Sequence, residues 1–423
     1  TFHLSLVLVV VIPYQSKNVK LNGFLLINKP PSSAKATDGK SGPTSHDIID
    51  QLRRIIGIRQ IGHAGTLDPF ASGLLLVGIG EATKLLRHYV GLDKTYEATL
   101  RLGATSDTQD RTGKIQETRY KQDTITKLQI QKVLQSFIGK QQQLPPMHSA
   151  KKLDGKRYYK YAREGKEIER KPQDIEIFDI KLLSLQFSNS PILDTITISC
   201  RVSSGTYIRT LAHDIGVKLG TGAYLEELKR TAIGDFKLED AINVILEGPA
   251  DSAGTDRIHL KNTGSYRPAV AGLQDDIIQH LIPLKTVLVS GAFDGLHEGH
   301  KNYFQQARQY GQRLIAIIAR DKIVEQIKGR KPKHSEKERV AFVKKCDEID
   351  RVYLGVLDNI FDFTASLKPD IIALGYDQTA YTKNLAKEMK SRGLDTKITR
   401  LKPYKPEQFK SSLINKPIVD KKQ

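Results

Sequence analysis

The sequence predicts two domains of different class, an α+β domain built on a largely antiparallel mixed sheet and then a separate α/β domain with a parallel sheet. The chain has 423 residues, which is long for one domain. From Gly23 to about Val244, short alternating strand-like runs mix with helical stretches. From Leu284 onward, strands with continuous apolar cores alternate with helices, as in a doubly wound sheet.

The elements of the first domain follow from apolar periodicity. The alternating runs predict strands at Gly23–Asn28, Thr95–Leu102 and Thr195–Val202, and the helical stretches are His46–Ile56 and Ile125–Phe137. We interpret GAYLEELKRTAIGDF, residues 222–236, as a basic helix end.

In the second domain, KTVLVSGAFDG (285–295) predicts a buried strand that ends in a turn, and GHKNYFQQARQYG (299–311) predicts the helix that follows. RLIAIIA (313–319) and PDIIALGYD (369–377) repeat the strand pattern.

Composition shifts place the boundaries of these parts. We expect an N-terminal extension, a first domain with a Ser/Ala/Lys/Gly surface insertion, a linker, a second domain and a basic tail. Their ranges are 1–20, 21–245 (insertion 32–41), 246–283, 284–415 and 416–423.

Charge and cysteine content narrow the class of protein. The net charge of +19 and pI of about 9.6 favour a polyanionic partner, because Lys and Arg displace counterions from phosphates. Cys200 and Cys346 lie far apart, which fits a reduced cytosol and leaves no thiolate-rich metal site. The apolar opening TFHLSLVLVVVIPY lacks a basic n-region and a small-residue cleavage site. We therefore expect a cytoplasmic protein with no membrane partner.

The loop GHAGTLDPFASGLL, residues 62–75, carries one carboxylate, Asp68. Tyr96 is predicted on a strand, Asp110 in the turn that follows, and Arg209 at the start of a helix. Taken one at a time, Asp68 has an ordinary explanation as an N-cap, Tyr96 as a half-buried strand aromatic and Arg209 as a surface helix cation.

Together these stretches resemble the bacterial tRNA pseudouridine synthases that act on uridine 55 of the TΨC arm, the TruB-like family. GHAGTLDPFASGLL, KTYEA, SDTQD, LPPMHSAKKLDGKRYYKYAREG, GTYIRTLAHDIG and ELKRTAIGDF occur in the family's order and approximate spacing. The resemblance covers about residues 21–240. It implies a catalyst of uridine isomerisation whose partner is tRNA rather than DNA, with no cofactor and no metal in this domain.

The resemblance also implies a role for each matching residue. Asp68 matches the catalytic aspartate, Arg209 the arginine that holds it, and Asp110 an acid that steadies that arginine. The target base must leave the folded arm, and Tyr96 matches the aromatic that stacks on it.

Three further positions match residues that contact RNA in the family. His63 matches a residue near the vacated nucleotide, and Leu228 one that closes the pocket behind the base. Lys29 is either structural or phosphate-facing. The chain departs from the family at the insertion 32–41, and by continuing into an α/β domain where the family has a small RNA-binding domain.

The second candidate site is HEGH, residues 297–300, at a strand-to-helix junction. A Gly-rich turn there presents backbone N–H groups and a helix N-terminus to phosphates, and Gly299 lets the backbone come close. His297 and His300 can then donate to phosphate oxygens as charge develops. A pair of surface histidines is the alternative.

This segment resembles the Rossmann-like cytidylyltransferase family of nucleotidyltransferases, which includes glycerol-3-phosphate cytidylyltransferases and archaeal-type FAD synthases. The resemblance implies an NTP, Mg²⁺ and a small phosphorylated acceptor. It places Lys328 on phosphate, Arg339 in support of the site and Asp377 near the nucleotide or acceptor, and it brings Ser411 and Ser412 to the triphosphate. The segments LGYDQ and IKGRKP favour an FAD-synthase-like enzyme. An enzyme that uses CTP and glycerol phosphate stays open as the alternative.

Two alternatives to a bifunctional enzyme remain at this point. The first domain could be a tRNA-folding chaperone with a vestigial loop, although a purely binding protein has no need of Asp68 amid cations. The second domain could bind a nucleotide, or grip tRNA, without turnover.

Overall fold

A computed structural model describes most of the chain outside its termini. The described residues are 21–31, 43–118, 125–149, 151–153, 155–187, 194–247, 257–261, 277, 279–405 and 407–408. The chain divides into two units, Thr1–Ile282 and Pro283–Gln423. The expected extension 1–20, insertion 32–41 and tail 416–423 lie outside the described residues.

Strands dominate the first unit. They are β1 Gly23–Lys29, β2 Ile61–His63, β3 Ser72–Ile79, β4 Lys94–Leu102, β5 Ala104–Ser106, β6 Ile115–Glu117, β7 Gly139–Gln143, β8 Lys152–Leu153, β9 Lys156–Arg157, β10 Gln173–Gln186, β11 Thr195–Val202, β12 Ala223–Ile233, β13 Phe236–Lys237, β14 Ile242–Glu247 and β15 Arg257–Lys261, with β16 Ile282–Pro283 at the division between the units.

The helices of this unit are shorter than its longest strands. They are α1 Ser45–Ile56, α2 Ala82–Leu85, α3 Arg87–Val90, α4 Lys127–Gln135, α5 Tyr158–Arg163 and α6 Ile208–Leu219, with a 3₁₀ turn at Leu238–Asp240. Thr44 caps α1 in a capping box with Asp47, and Gly57 ends it in the left-handed conformation.

The main sheet of the first unit runs in the order β15-β14-β1-β3-β12-β4-β11-β10-β7. Most neighbouring strands are antiparallel, whereas β1 with β14 and β3 with β12 are parallel pairs. This is the largely antiparallel mixed sheet that the sequence predicts. One apolar cluster joins α4 and α6 to the middle strands, and a second joins α1 to β1 and β3.

The interpretation of residues 222–236 as a helix end is wrong. Ala223–Ile233 is strand β12, which pairs with β4 on one side and with β3 on the other. The segment is rich in the helix formers Leu, Glu and Lys, and its central position in the sheet overrides that local preference.

The second unit is a five-stranded parallel sheet in the order β19-β18-β17-β20-β21. Its strands are β17 Thr286–Gly291, β18 Arg313–Ile318, β19 Arg351–Leu354, β20 Ile371–Leu374 and β21 Lys397–Arg400. Its helices are α7 Glu298–Arg308, α8 Asp321–Lys328, α9 Glu336–Lys344, α10 Ile360–Ser366 and α11 Leu385–Ser391. The strand order reverses between β17 and β20, which is where such sheets bind ligands.

The two faces of this sheet are covered differently. Side chains of α7 and α9 pack on one face with Val287 and Val289. Side chains of α10 and α11 pack on the other with Leu288 and Ile317. Across the described residues of both units, no helix is long and apolar enough to cross a membrane.

Candidate active sites

The Asp68 loop joins β2 to β3 and is held by its neighbours on both sides. The Ala71 N–H donates to the Asp68 carbonyl at 3.0 Å, which closes a tight turn over Pro69. The Leu67 N–H donates to the Ser45 hydroxyl at 3.0 Å. The backbone that carries the carboxylate is therefore fixed before any substrate arrives.

Lys29, at the end of β1, lies beneath this turn and is fully buried. Its ammonium donates to the carbonyls of Pro69 at 2.9 Å, Ala71 at 2.6 Å and Pro30 at 3.1 Å. All three N–H groups are then used on carbonyl oxygens. This geometry favours the structural alternative for Lys29 over the phosphate-facing one.

Arg209, the second residue of α6, lies between two carboxylates. Its Nε is 3.0 Å from Asp68 Oδ2, and its Nη1 donates to Asp110 Oδ2 at 3.1 Å. Its Nη2 donates to the His148 carbonyl at 3.1 Å. The Arg209 side chain is 7% exposed and that of Asp110 4%, so this is a buried, charge-paired network.

Asp110 is held in turn by the loop that follows β5. Its Oδ1 accepts from the Thr112 N–H at 2.9 Å and from the Thr108 hydroxyl at 2.9 Å. A fixed carboxylate on one side of Arg209 leaves the other side of the guanidinium directed at Asp68.

The Asp68 carboxyl experiences two opposing effects. Partial withdrawal from water raises its pKa above the usual 3.8, whereas the nearby Arg209 lowers it. The Asp68 side chain is 38% exposed, in contrast to its two buried partners. It is the member of this network that a substrate can reach.

Tyr96, Leu228 and His63 lie on strands around the same loop. Tyr96 of β4 pairs with Arg230 of β12, and burial raises the pKa of its phenol, so the hydroxyl is protonated at neutral pH. Leu228 is a buried residue of β12, two positions before Arg230. His63 ends β2, and burial together with Arg230 lowers its pKa.

Arg230 is a member of this site that sequence reasoning missed. It is 1% exposed, its Nε donates to the Leu74 carbonyl at 2.8 Å, and its Nη2 donates to the Gly65 carbonyl at 3.1 Å. It also pairs with Tyr96 across β12 and β4 and lies near enough to lower the pKa of that phenol against the effect of burial. It therefore ties both ends of the Asp68 loop to Tyr96. The interpretation of 222–236 as a helix end hid it, because only a strand brings residue 230 beside residue 96.

The second site is a cavity of about 610 Å³ in the α/β unit. His297 and His300 line it, with ring centroids 3.9 Å apart, and α7 begins directly after His297. Burial, with smaller contributions from His297 and Lys328, lowers the pKa of His300 to about 3. Both histidines are therefore uncharged at neutral pH, since burial lowers the pKa of His297 as well.

Gly299, Lys328 and Asp377 also line this cavity. Lys328 ends α8, and burial is the main cause that lowers its pKa. Asp377 lies in the loop after β20 and is exposed. The cavity thus combines a cation, two imidazoles and a helix N-terminus at the carboxyl end of the sheet.

Arg339 does not line the cavity. It is fully buried and donates to the carbonyls of Ala292 and Ala319 at 2.5 and 2.8 Å and to Asp321 at 2.6 Å. It thereby joins the loops that follow β17 and β18. Asp294, which sequence reasoning missed, is 8% exposed and accepts from the backbone N–H groups of Lys333 and His334.

Ser411 and Ser412 lie outside the described residues. Within the described ranges, no three His, Cys, Asp or Glu side chains are grouped so as to hold a metal ion. Among the described residues that line the cavity, Asp377 is the carboxylate available to a divalent cation.

Three family models match the chain. "TruB family pseudouridylate synthase (N terminal domain)" matches residues 53–208 and "tRNA pseudouridylate synthase B C-terminal domain" matches 209–247. "Cytidylyltransferase-like" matches residues 288–416.

Similar proteins include several named tRNA pseudouridine synthase B. That of Syntrophotalea carbinolica is 42% identical over 224 residues, which is 53% of this chain and 68% of that protein. That of Opitutus terrae is 41% identical, over 53% of this chain and 86% of the other. That of Bacillus subtilis is 42% identical, over 56% and 74%. A solved Cbf5-Nop10-Gar1 complex matches at 29% identity over 52% of each chain, with a TM-score of 0.38.

Proposed function

Because the chain belongs to the TruB family of tRNA pseudouridine synthases, we propose that it converts uridine 55 in the TΨC arm of tRNA to pseudouridine. Pseudouridine formation in RNA is the reaction of this family. Our proposal concerns which uridine this chain modifies. The observation that carries the mechanism is the Asp68–Arg209–Asp110 network, in which one half-exposed carboxylate is held by a buried arginine.

The reaction breaks the bond between ribose C1′ and N1 of uracil and forms a bond between C1′ and C5. C5 loses its proton, N1 gains one, and substrate and product have the same atoms, so no cofactor is required. Ionised Asp68 attacks the sugar or the base, and both routes use the same carboxylate. Arg209 keeps Asp68 ionised and oriented, and Asp110 keeps Arg209 in place.

The target base must be extruded from the arm before it reaches Asp68. We propose that Tyr96 stacks on the extruded base and Leu228 closes the pocket behind it, because both lie on neighbouring strands beside the Asp68 loop. His63 would contact the space that the nucleotide leaves. The intact network disfavours the chaperone alternative, because binding alone gives no use for a carboxylate held toward solvent.

Tritium release from tRNA that carries 5-³H uridine tests this function. Wild type should release tritium, and Asp68→Asn should release none while binding tRNA with unchanged affinity. Asp179→Asn, which removes an exposed carboxylate paired with Lys181, is the matched control and should behave as wild type. Equal release from wild type and Asp68→Asn would contradict the assignment.

For the second unit, we propose nucleotidyl transfer from an NTP to a phosphorylated acceptor, FAD-synthase-like or CTP-dependent. The observation that supports it is the pair of uncharged histidines beside Lys328 at the start of α7. An oxygen of the acceptor phosphate attacks the α-phosphorus, the bond to the bridging oxygen breaks, and pyrophosphate leaves with that electron pair. His297 and His300 would donate hydrogen bonds to the phosphates, and magnesium would supply charge neutralisation there.

Pyrophosphate production, screened over the NTPs with FMN and glycerol 3-phosphate as acceptors, tests this second activity. We expect turnover that the double variant His297→Ala, His300→Ala abolishes. His46→Ala, which removes a mostly exposed histidine of the first unit, should leave it unchanged. If no pair of substrates is turned over in a histidine-dependent way, the unit is a binding module.

A further inference from the structure

The cavity of the α/β unit extends well beyond its histidines. On the face of the sheet that carries α10 and α11, Leu288, Ile317, Ile372 and Leu374 form its floor. α10 and α11 have seven residues each, so each spans only about 10 Å. The base of the cavity is therefore apolar, and its four residues are almost fully buried beneath these two short helices.

One side of the cavity is an apolar wall, which we define by Ile323, Val324 and Ile327 of α8 together with Val356, Ile360 and Phe361. Val324 is 3% exposed, whereas Ile327 is 50% exposed. Residues 323 and 327 are one helical turn apart, so α8 turns an apolar stripe toward the cavity just before Lys328. The chain therefore places a cation and an apolar surface side by side.

Hydrogen-bonding groups are scarce along the α10 part of this cavity. The lining residues there are Ile360, Phe361, Phe363 and Thr364, and the Thr364 hydroxyl donates to the Ile360 carbonyl at 2.8 Å. A small polyol phosphate placed against such a wall would lose hydrogen bonds to water without replacing them. An apolar group there would gain by leaving water.

We propose that the acceptor of this unit is a phosphomonoester with a bulky apolar or aromatic body, which lies against the apolar wall with its phosphate toward Lys328 and the two histidines. The inference rests on the proposed nucleotidyl transfer and names the class of its acceptor. It excludes glycerol 3-phosphate, whose body is small and polar. The transfer itself is unchanged, since the acceptor phosphate oxygen displaces pyrophosphate from the α-phosphorus.

Binding to the full-length protein in the absence of NTP tests this acceptor class separately from turnover. FMN serves as the aromatic probe and n-decyl phosphate as the aliphatic one, with glycerol 3-phosphate as the polar probe of equal charge. Fluorescence quenching reports FMN binding, and calorimetry reports the other two. We expect at least one apolar probe to bind about tenfold or more tightly than glycerol 3-phosphate, because burial of a few methylene groups suffices for that ratio.

A pair of adjacent variants locates the binding. Val356→Asp places a charge in the apolar wall and should weaken the apolar probe about tenfold or more. Leu357→Asp makes the same change one residue away, at a side chain that is 38% exposed and does not line the cavity, and should have no effect. Equal effects of the two variants would overturn the inference.

The outcomes separate this inference from the function on which it rests. Wall-dependent binding of an apolar probe, without pyrophosphate release under any NTP, supports the ligand class and contradicts the proposed transfer. Pyrophosphate release with glycerol 3-phosphate, and none with either apolar probe, supports the transfer and overturns the acceptor class.

Discussion

In the first site Arg209 lies 3.0 Å from Asp68 and 3.1 Å from Asp110. In the second site Lys328 forms no ion pair among the described residues, and the carboxylates of Asp294 and Asp377 act on it only from beyond ion-pair distance. The first site therefore balances its charge within the chain and is arranged before RNA arrives. The second keeps a cation and two uncharged imidazoles that phosphates would complete. A countercharge within the chain fixes a reacting group in place, whereas a cation without an ion-pair partner provides affinity for an anionic substrate.

Removal of Arg209 should have the largest effect on the first site. Arg209→Ala leaves Asp68 and buried Asp110 without their shared cation, so the rate of pseudouridine formation should fall about 10²- to 10³-fold. The free energy of unfolding should fall by about 3 kcal/mol, because removal of one partner strands a buried charge. Single-turnover kinetics and thermal unfolding measure the two effects. An unchanged melting temperature would show that the network does not stabilise the fold.

The corresponding change in the second site should weaken the use of the nucleotide without destabilising the fold. Lys328→Ala removes a cation that forms no ion pair with any residue in the described part of the chain. We expect kcat/KM for the NTP to fall about 10- to 100-fold, the worth of one charge-assisted hydrogen bond to phosphate. The unfolding midpoint without ligand should not move. Lys322→Ala, on the same helix but outside the cavity lining, is the control.

Arg230 differs from Arg209 because it positions the first site through backbone carbonyls and forms no ion pair among the described residues. Arg230→Lys keeps the charge but loses the fork that reaches Gly65 and Leu74. We expect kcat to fall about tenfold while KM for tRNA is unchanged, because the Asp68 loop and Tyr96 lose their shared support. Arg101→Lys, a second strand-borne arginine, should leave both constants unchanged. A rise in KM alone would indicate an RNA contact instead.

The ease with which sequence revealed each part depended on how local its cause is. β11 was predicted with its observed bounds, Thr195–Val202, since strict alternation is a local signal. β12 was misread because its identity comes from pairing with β3 and β4, which the segment itself does not encode. Arg230 was missed for the same reason. The sequence alone leaves the role of Lys29 open, because only the fold shows that its ammonium lies under the Asp68 turn.

The smallest expected effect is the pH dependence that His300 gives the second site between pH 5 and 8. A histidine of lowered pKa is uncharged above that pKa and becomes charged only below it. His300, with a pKa of about 3, therefore stays uncharged throughout this range, whereas an ordinary histidine would change charge near 6.5.

We expect the contribution of His300 to kcat/KM for the NTP to vary less than about twofold over that range. The measurement compares pH profiles of wild type and His300→Asn, which keeps a hydrogen-bond donor that does not titrate. If the wild-type profile has a break near 6.5 that His300→Asn removes, burial does not control this imidazole. The site would then use a charged histidine to attract phosphate, and the contrast with the internally neutralised Asp68 site would be larger than the structure implies.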